Sequence, residues 1–119
     1  MREIMIIEDE QINANRLRRL INATLEKARF LPVLDSVQDA LVWFKRNAQP
    51  DLIFMDVRLS DGSALEILSQ INFECHVVIA TAYPENYLAY FGPTKLLHLN
   101  KPIFQDDLLS LFKDLGWIE

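Results

Sequence analysis

The chain has 119 residues, half of them hydrophobic, which is enough for one compact domain spanning residues 1–119 and too few for two. Twelve Lys and Arg stand against 17 Asp and Glu, a formal charge of -5, so the basic footprint of a nucleic-acid binder is missing and direct DNA binding by this chain is not expected. No apolar run approaches the roughly 18 residues of a membrane span, and MREIMIIEDE lacks the basic start and apolar core of a signal peptide, so a cytoplasmic location and no membrane partner are expected.

Five short apolar runs, at residues 4–7, 30–34, 52–55, 77–80 and 96–99, punctuate the chain. Their continuous apolarity, rather than alternation, is the pattern of strands covered on both faces. Helical spacing fills the gaps. After the first run, Ala14, Leu17, Ile21 and Leu25 form one stripe. After the second, Val37, Ala40, Leu41, Phe44 and Ala48 form another, with Ser36 or Asp35 as the N-cap. Residues 63–71 and 84–91 read as shorter helices, the latter opened by Pro84, which suits a first turn. Leu108, Leu111, Phe112 and Leu115 mark a last helix. Five strand-helix alternations imply an α/β fold, a (βα)5 flavodoxin-like three-layer sandwich around a parallel sheet of order 2-1-3-4-5.

In such sheets a ligand binds outside the carboxyl ends of the strands, where the strand order reverses between strands one and three. Strand one ends in Glu8-Asp9-Glu10, strand three in Asp56, strand four in Thr81, and strand five runs to Lys101-Pro102. Carboxylates converging there repel one another and call for a cation, and hard oxygen donors suit Mg²⁺. Lys101 adds a second positive charge, Thr81 a hydroxyl donor. A pocket of that make-up is matched to an incoming phosphoryl group, with one projecting carboxylate as nucleophile.

With the acidic cluster IIEDE, the segment LIFMDVRLSDG, the hydroxyl segment VIATAY and the lysine segment LNKP in this order, the chain resembles the receiver domain of two-component response regulators over nearly its whole length. The resemblance implies that Asp56 accepts a phosphoryl group from a sensor histidine kinase. It implies that Glu8 and Asp9 hold Mg²⁺, with Asp56 and the backbone carbonyl of Arg58 completing the protein ligands. Thr81 would hydrogen-bond the phosphoryl oxygens, Lys101 would pair with them, and the Lys101-Pro102 bond would be cis. A receiver promotes only its own phosphorylation and dephosphorylation and is not otherwise an enzyme. TAYPENYLAYF and DVRLSDGSALEIL further resemble receivers that precede a LytTR-type DNA-binding domain. The chain is then either a stand-alone receiver or one excised from a longer protein with such an effector.

His98 stands three residues before Lys101, where the family usually has Tyr or Phe as a rotameric switch; it reads either as a pH-dependent switch or as a packing histidine. Arg58 and Tyr83, two positions beyond Asp56 and Thr81, should flank the site mouth, where the resemblance implies control of phosphoryl lifetime, and their bulk predicts slow loss of the phosphoryl group. The aromatic residues Tyr87, Tyr90 and Phe91 place the output on the face of the fourth helix, fifth strand and fifth helix, with a phosphorylation-dependent homodimer as the expected assembly. Core packing of those rings is the plainer reading. Asp61-Gly62 reads as a turn, and Cys75 as a packing residue beside its apolar run.

Three rival functions differ in class. A degenerate receiver would use the same surface as a phosphorylation-independent binding module. A phosphohydrolase of another α/β family would commonly place a second carboxylate two residues beyond the nucleophile, where Arg58 stands. A flavin or nucleotide binder would need a phosphate-cradling loop after strand one, where Glu8-Asp9-Glu10 would repel the ligand.

Overall fold

The computed structural model describes residues 1–82 and 96–119. Its elements, in chain order, are β1 (Arg2–Ile7), α1 (Gln11–Thr24), β2 (Ala28–Phe30), α2 (Val37–Arg46), β3 (Leu52–Asp56), β4 (Arg58–Leu59), β5 (Gly62–Ser63), α3 (Ala64–Gln70), β6 (His76–Thr81), β7 (Leu96–Asn100) and α4 (Gln105–Asp114). The expected helix at residues 84–91, its three rings and Tyr83 lie outside the described residues.

Five strands pair in parallel in the order β2-β1-β3-β6-β7, which is the expected 2-1-3-4-5 once the small β4–β5 hairpin is set aside. Along β1, Ile4 and Ile6 face one way and Met5 and Ile7 the other, and all four are buried. The first pair joins Leu52, Phe54 and Val78 under α1 (Ala14, Leu17, Ile21) and α4 (Leu108, Leu111, Phe112). The second joins Ile53, Met55, Val77 and Ile79 under α2 (Val37, Ala40) and α3 (Ala64, Ile67). Helices on both faces therefore explain why the strands read as unbroken apolar runs. Each such side chain, taken fully out of water, contributes about 1.5–3 kcal/mol.

Two boundaries differ from the sequence reading. The second strand is Ala28–Phe30, not residues 30–34; beyond it the Leu31 amide still donates to the Ile4 carbonyl, and Leu34 returns to the sheet as an isolated bridge to Ile7. α2 ends at Arg46 with Asn47 as its C-cap, which leaves Ala48 exposed and off the stripe. Cys75 is half-buried against the α2/α3 core, in keeping with a packing role.

The last helix closes with a glycine-dependent motif. Gly116, at φ 75°, takes the left-handed conformation that side chains disfavour. The amide of Trp117 then donates to the Phe112 carbonyl and that of Gly116 to Lys113, so the chain folds back and the Trp117 ring stacks on Phe112 at 5.8 Å. Arg2 covers the outer face of the indole at 4.6 Å, tying the first strand to the end of the chain.

Candidate functional site

The register brings the singled-out residues to one rim of the sheet. Ile7 pairs with Met55, Asp56 with Ala80, and Thr81 with Asn100, so Glu8, Asp56, Thr81 and Lys101 all stand at carboxyl ends of adjacent strands. The Lys101 amide donates to the Thr81 carbonyl at 3.0 Å, extending that ladder past the last paired residue. The Lys101-Pro102 bond is cis, as the resemblance implied.

Carboxylate oxygens of Glu8, Asp9 and Asp56 lie within 4.8 Å of one another, the one such group among the described residues. Lys101 Nζ reaches Asp56 Oδ2 at 3.0 Å and Glu8 Oε1 at 3.2 Å. The other Glu8 oxygen accepts from the Glu10 amide at 3.2 Å. Glu8 and Asp56 thus share one ammonium, with the Asp9 carboxylate beside them. At that spacing and an effective dielectric constant of about 20, ionised Glu8 and Asp56 would repel by about 3 kcal/mol.

The pKa shifts express this imbalance. Burial, followed by the charge of Asp56, pushes Glu8 up to about 7, although the Glu10 amide and Lys101 pull it down. Burial alone would lower the Lys101 ammonium, but its hydrogen bond and charge interaction with Asp56, and then those with Glu8, raise it above the ordinary lysine value. The lysine is therefore charged at neutral pH, while the buried glutamate sits near its midpoint. A hard divalent ion fits this donor set: the oxygens are carboxylate, clustered and short of positive charge, and Asp9 is exposed enough to leave an entry path.

Beside the cluster lies a cavity of about 600 Å³ between α1 and the segment after β7; Glu8, Asp56 and Lys101 line its polar end, and Leu17, Phe54 and Ile103 are among its apolar walls. Arg16 of α1 spans its edge, donating to the Ile103 carbonyl at 2.8 Å. This bond holds the segment that carries Lys101, and nothing in the local sequence around Arg16 marks it.

Thr81 is buried at the end of β6. His98 lies opposite Ile79 on β7, on the α2/α3 face that alternation also gives Thr81, and is half-buried. Its Nε2 is buried and has no hydrogen-bond partner among the described residues. Arg58 is exposed and opens the β4–β5 hairpin, pairing with Ser63. His76 is not part of the carboxylate cluster, and Glu66 and Glu74 are exposed.

Asp61, expected only as a turn residue, does more. From the hairpin tip its Oδ1 accepts from the Val37 amide at 2.7 Å and its Oδ2 from Gln38 at 3.0 Å. These amides begin α2.

A five-stranded parallel α/β sheet of this order, with an acidic cluster and a lysine at its switch point, defines the doubly wound class whose sites lie outside the carboxyl ends of the strands. Residues 4–113 match the family model described as response regulator receiver domain, and the chain belongs to that family. It is 29% identical over 116 residues to the sensory transduction protein LytT of Bacillus anthracis, covering 95% of this chain and 46% of LytT. It is 32% identical over 103 residues to the phyllosphere-induced regulator PhyR of Methylorubrum extorquens, covering 84% of this chain and 38% of PhyR. The chain thus spans less than half the length of either relative. Among solved structures, the receiver domain of the Erythrobacter litoralis PhyR response regulator superposes with a TM-score of 0.75 at 24% identity, covering 98% of this chain and 91% of that one. The likeness to LytT agrees with the LytTR-type resemblance. No helix among the described residues is long and apolar enough to cross a membrane.

Proposed function

We propose that this chain is a phosphoryl-accepting receiver in which Asp56 takes the phosphoryl group of a phosphohistidine on a sensor histidine kinase. The observation that carries this reading is the convergence of Glu8, Asp9, Asp56 and Lys101 at the switch point, with Lys101 Nζ 3.0 Å from Asp56 Oδ2. A carboxylate oxygen of Asp56 forms a bond to phosphorus as the bond from phosphorus to the donor imidazole nitrogen breaks, and the imidazole departs with that electron pair. Glu8, Asp9, Asp56 and the Arg58 carbonyl would hold Mg²⁺, which when bound would supply charge neutralisation for the phosphoryl oxygens.

The protein's own residues do the rest. Lys101 pairs with the Asp56 carboxylate before transfer, its Nζ 3.0 Å from Oδ2, and with the product's oxygens after it. Thr81, at the end of the adjacent strand, donates its hydroxyl to the phosphoryl group. The added charge of about -1.5 to -2 shifts the Thr81 loop and the surface that follows it, the expected route to a phosphorylation-dependent homodimer. His98, on the same sheet face as Thr81, would respond to that shift.

The experiment is intact mass after incubation with acetyl phosphate, with and without Mg²⁺, beside Asp56→Asn. A single Mg²⁺-dependent phosphoryl adduct absent from the variant supports the reading. A folded wild-type chain that takes no phosphoryl group in Mg²⁺ favours the phosphorylation-independent binding module instead.

A further inference from the structure

We infer that Asp61 is a positioning residue for the metal and phosphoryl site, acting through the hairpin that follows Asp56. This rests on the receiver reading, because the hairpin matters for that chemistry only through the carbonyl of Arg58.

The hairpin is anchored at three levels. At its base the Ala64 amide donates to the Val57 carbonyl at 2.8 Å. In its middle Arg58 pairs with Ser63 and Leu59 with Gly62. At its tip the Asp61 carboxylate takes the first two amides of α2, at 2.7 and 3.0 Å, while the third, Asp39, donates to the N-cap hydroxyl of Ser36. Between them, two side chains from distant parts of the chain satisfy donors that a helix start leaves open. Those two amides hold the Asp61 carboxyl below its usual range, so it is ionised throughout the neutral region, where an anion at a helix N-terminus is favourable.

The bond also links the two loops that flank the carboxylate cluster. The segment before α2 is fastened beside Glu8, whose amide donates to the Leu34 carbonyl at 2.9 Å, and Val33 and Asp35 line one pocket with Glu8 and Asp9. Asp61 therefore fixes the strand-three loop to the same wall that holds the strand-one carboxylates. Without it the hairpin keeps its base and its paired middle but loses the bonds that set it against α2, so the Arg58 carbonyl loses one restraint on its position.

The test is Mg²⁺ affinity by calorimetry for the wild type, Asp61→Ala, Asp61→Asn and Ser36→Ala. Ser36→Ala removes a cap from the same helix without touching the hairpin, so it reports a merely structural effect on α2. The expected result is Mg²⁺ binding weakened about tenfold in Asp61→Ala, less in Asp61→Asn, which keeps one acceptor oxygen, and within about twofold of wild type in Ser36→Ala. If Asp61→Ala does not fold, the contrast between Asp61→Asn and Ser36→Ala carries the same expectation. A wild type that binds Mg²⁺ while the Asp61 variants bind it equally, or no more weakly than Ser36→Ala, overturns the inference alone. A wild type that binds no Mg²⁺ overturns the receiver reading and this inference with it.

Discussion

The pKa of Glu8 makes the metal-free fold sensitive to pH in an unusual direction for an acidic protein. Burial and the neighbouring Asp56 charge raise this carboxyl from 4.5 to about 7, so the folded chain holds the proton more tightly than the unfolded chain does. The resulting stability is fully present below about pH 4.5 and is lost as pH rises through about 7. A shift of that size corresponds to about 3 kcal/mol in full, of which about 2 kcal/mol falls between pH 5 and pH 7.5. Chemical unfolding in EDTA at those two pH values, for the wild type and for the isosteric, non-titrating Glu8→Gln, isolates the effect. The wild type should lose about 2 kcal/mol more than the variant on going to the higher pH. Mg²⁺ must displace the same proton, so its affinity for the wild type should rise about tenfold from pH 6 to pH 8. Parallel pH profiles for wild type and variant would refute the reasoning, since Glu8 would then be an ordinary carboxylate.

Replacing Asp56 by Asn removes the second cause of the Glu8 shift, so the pH midpoint of the stability difference should move below about 7, read in the same unfolding series. Lys101→Met leaves Glu8 and Asp56 facing each other without their shared cation. It should destabilise the metal-free chain at pH 7.5 by about 2 kcal/mol, less than for a fully buried pair because the lysine is partly exposed, and saturating Mg²⁺ should restore part of that loss. Phe112→Ala removes a fully buried ring and the platform for Trp117, and thermal unfolding should report a loss of about 3–5 kcal/mol.

How much of this was legible in the sequence follows from the range of the interactions. The sheet order and both helical layers could be expected because each strand is an apolar run buried on two faces, and each helix carries a stripe of its own. β2 was misplaced because it is a three-residue edge strand containing the exposed Arg29, while the more apolar residues 31–34 that follow form a connection. The carboxylates and Lys101 could be assigned together because strand ends are readable and parallel register gathers them. Crowded carboxylates that resist ionisation beside Lys101 could be expected; that burial of Glu8 is the largest cause of its raised pKa was not readable, since it depends on packing around the site. Asp61 shows the same limit: Asp-Gly gives a turn locally, but its partners lie 24 and 23 residues back on another element. Arg16 binds a carbonyl 87 residues away, and no local pattern signals such a bond.

The most direct test of the central claim is to trap the phosphorylated chain with borohydride, which converts a phosphorylated aspartate to homoserine, and to locate that residue by peptide mass spectrometry. The account predicts homoserine at position 56 alone, formed only when Mg²⁺ and the phosphodonor are both present. Homoserine at Asp9 or Asp61, or none at all in a folded chain supplied with both, would contradict it.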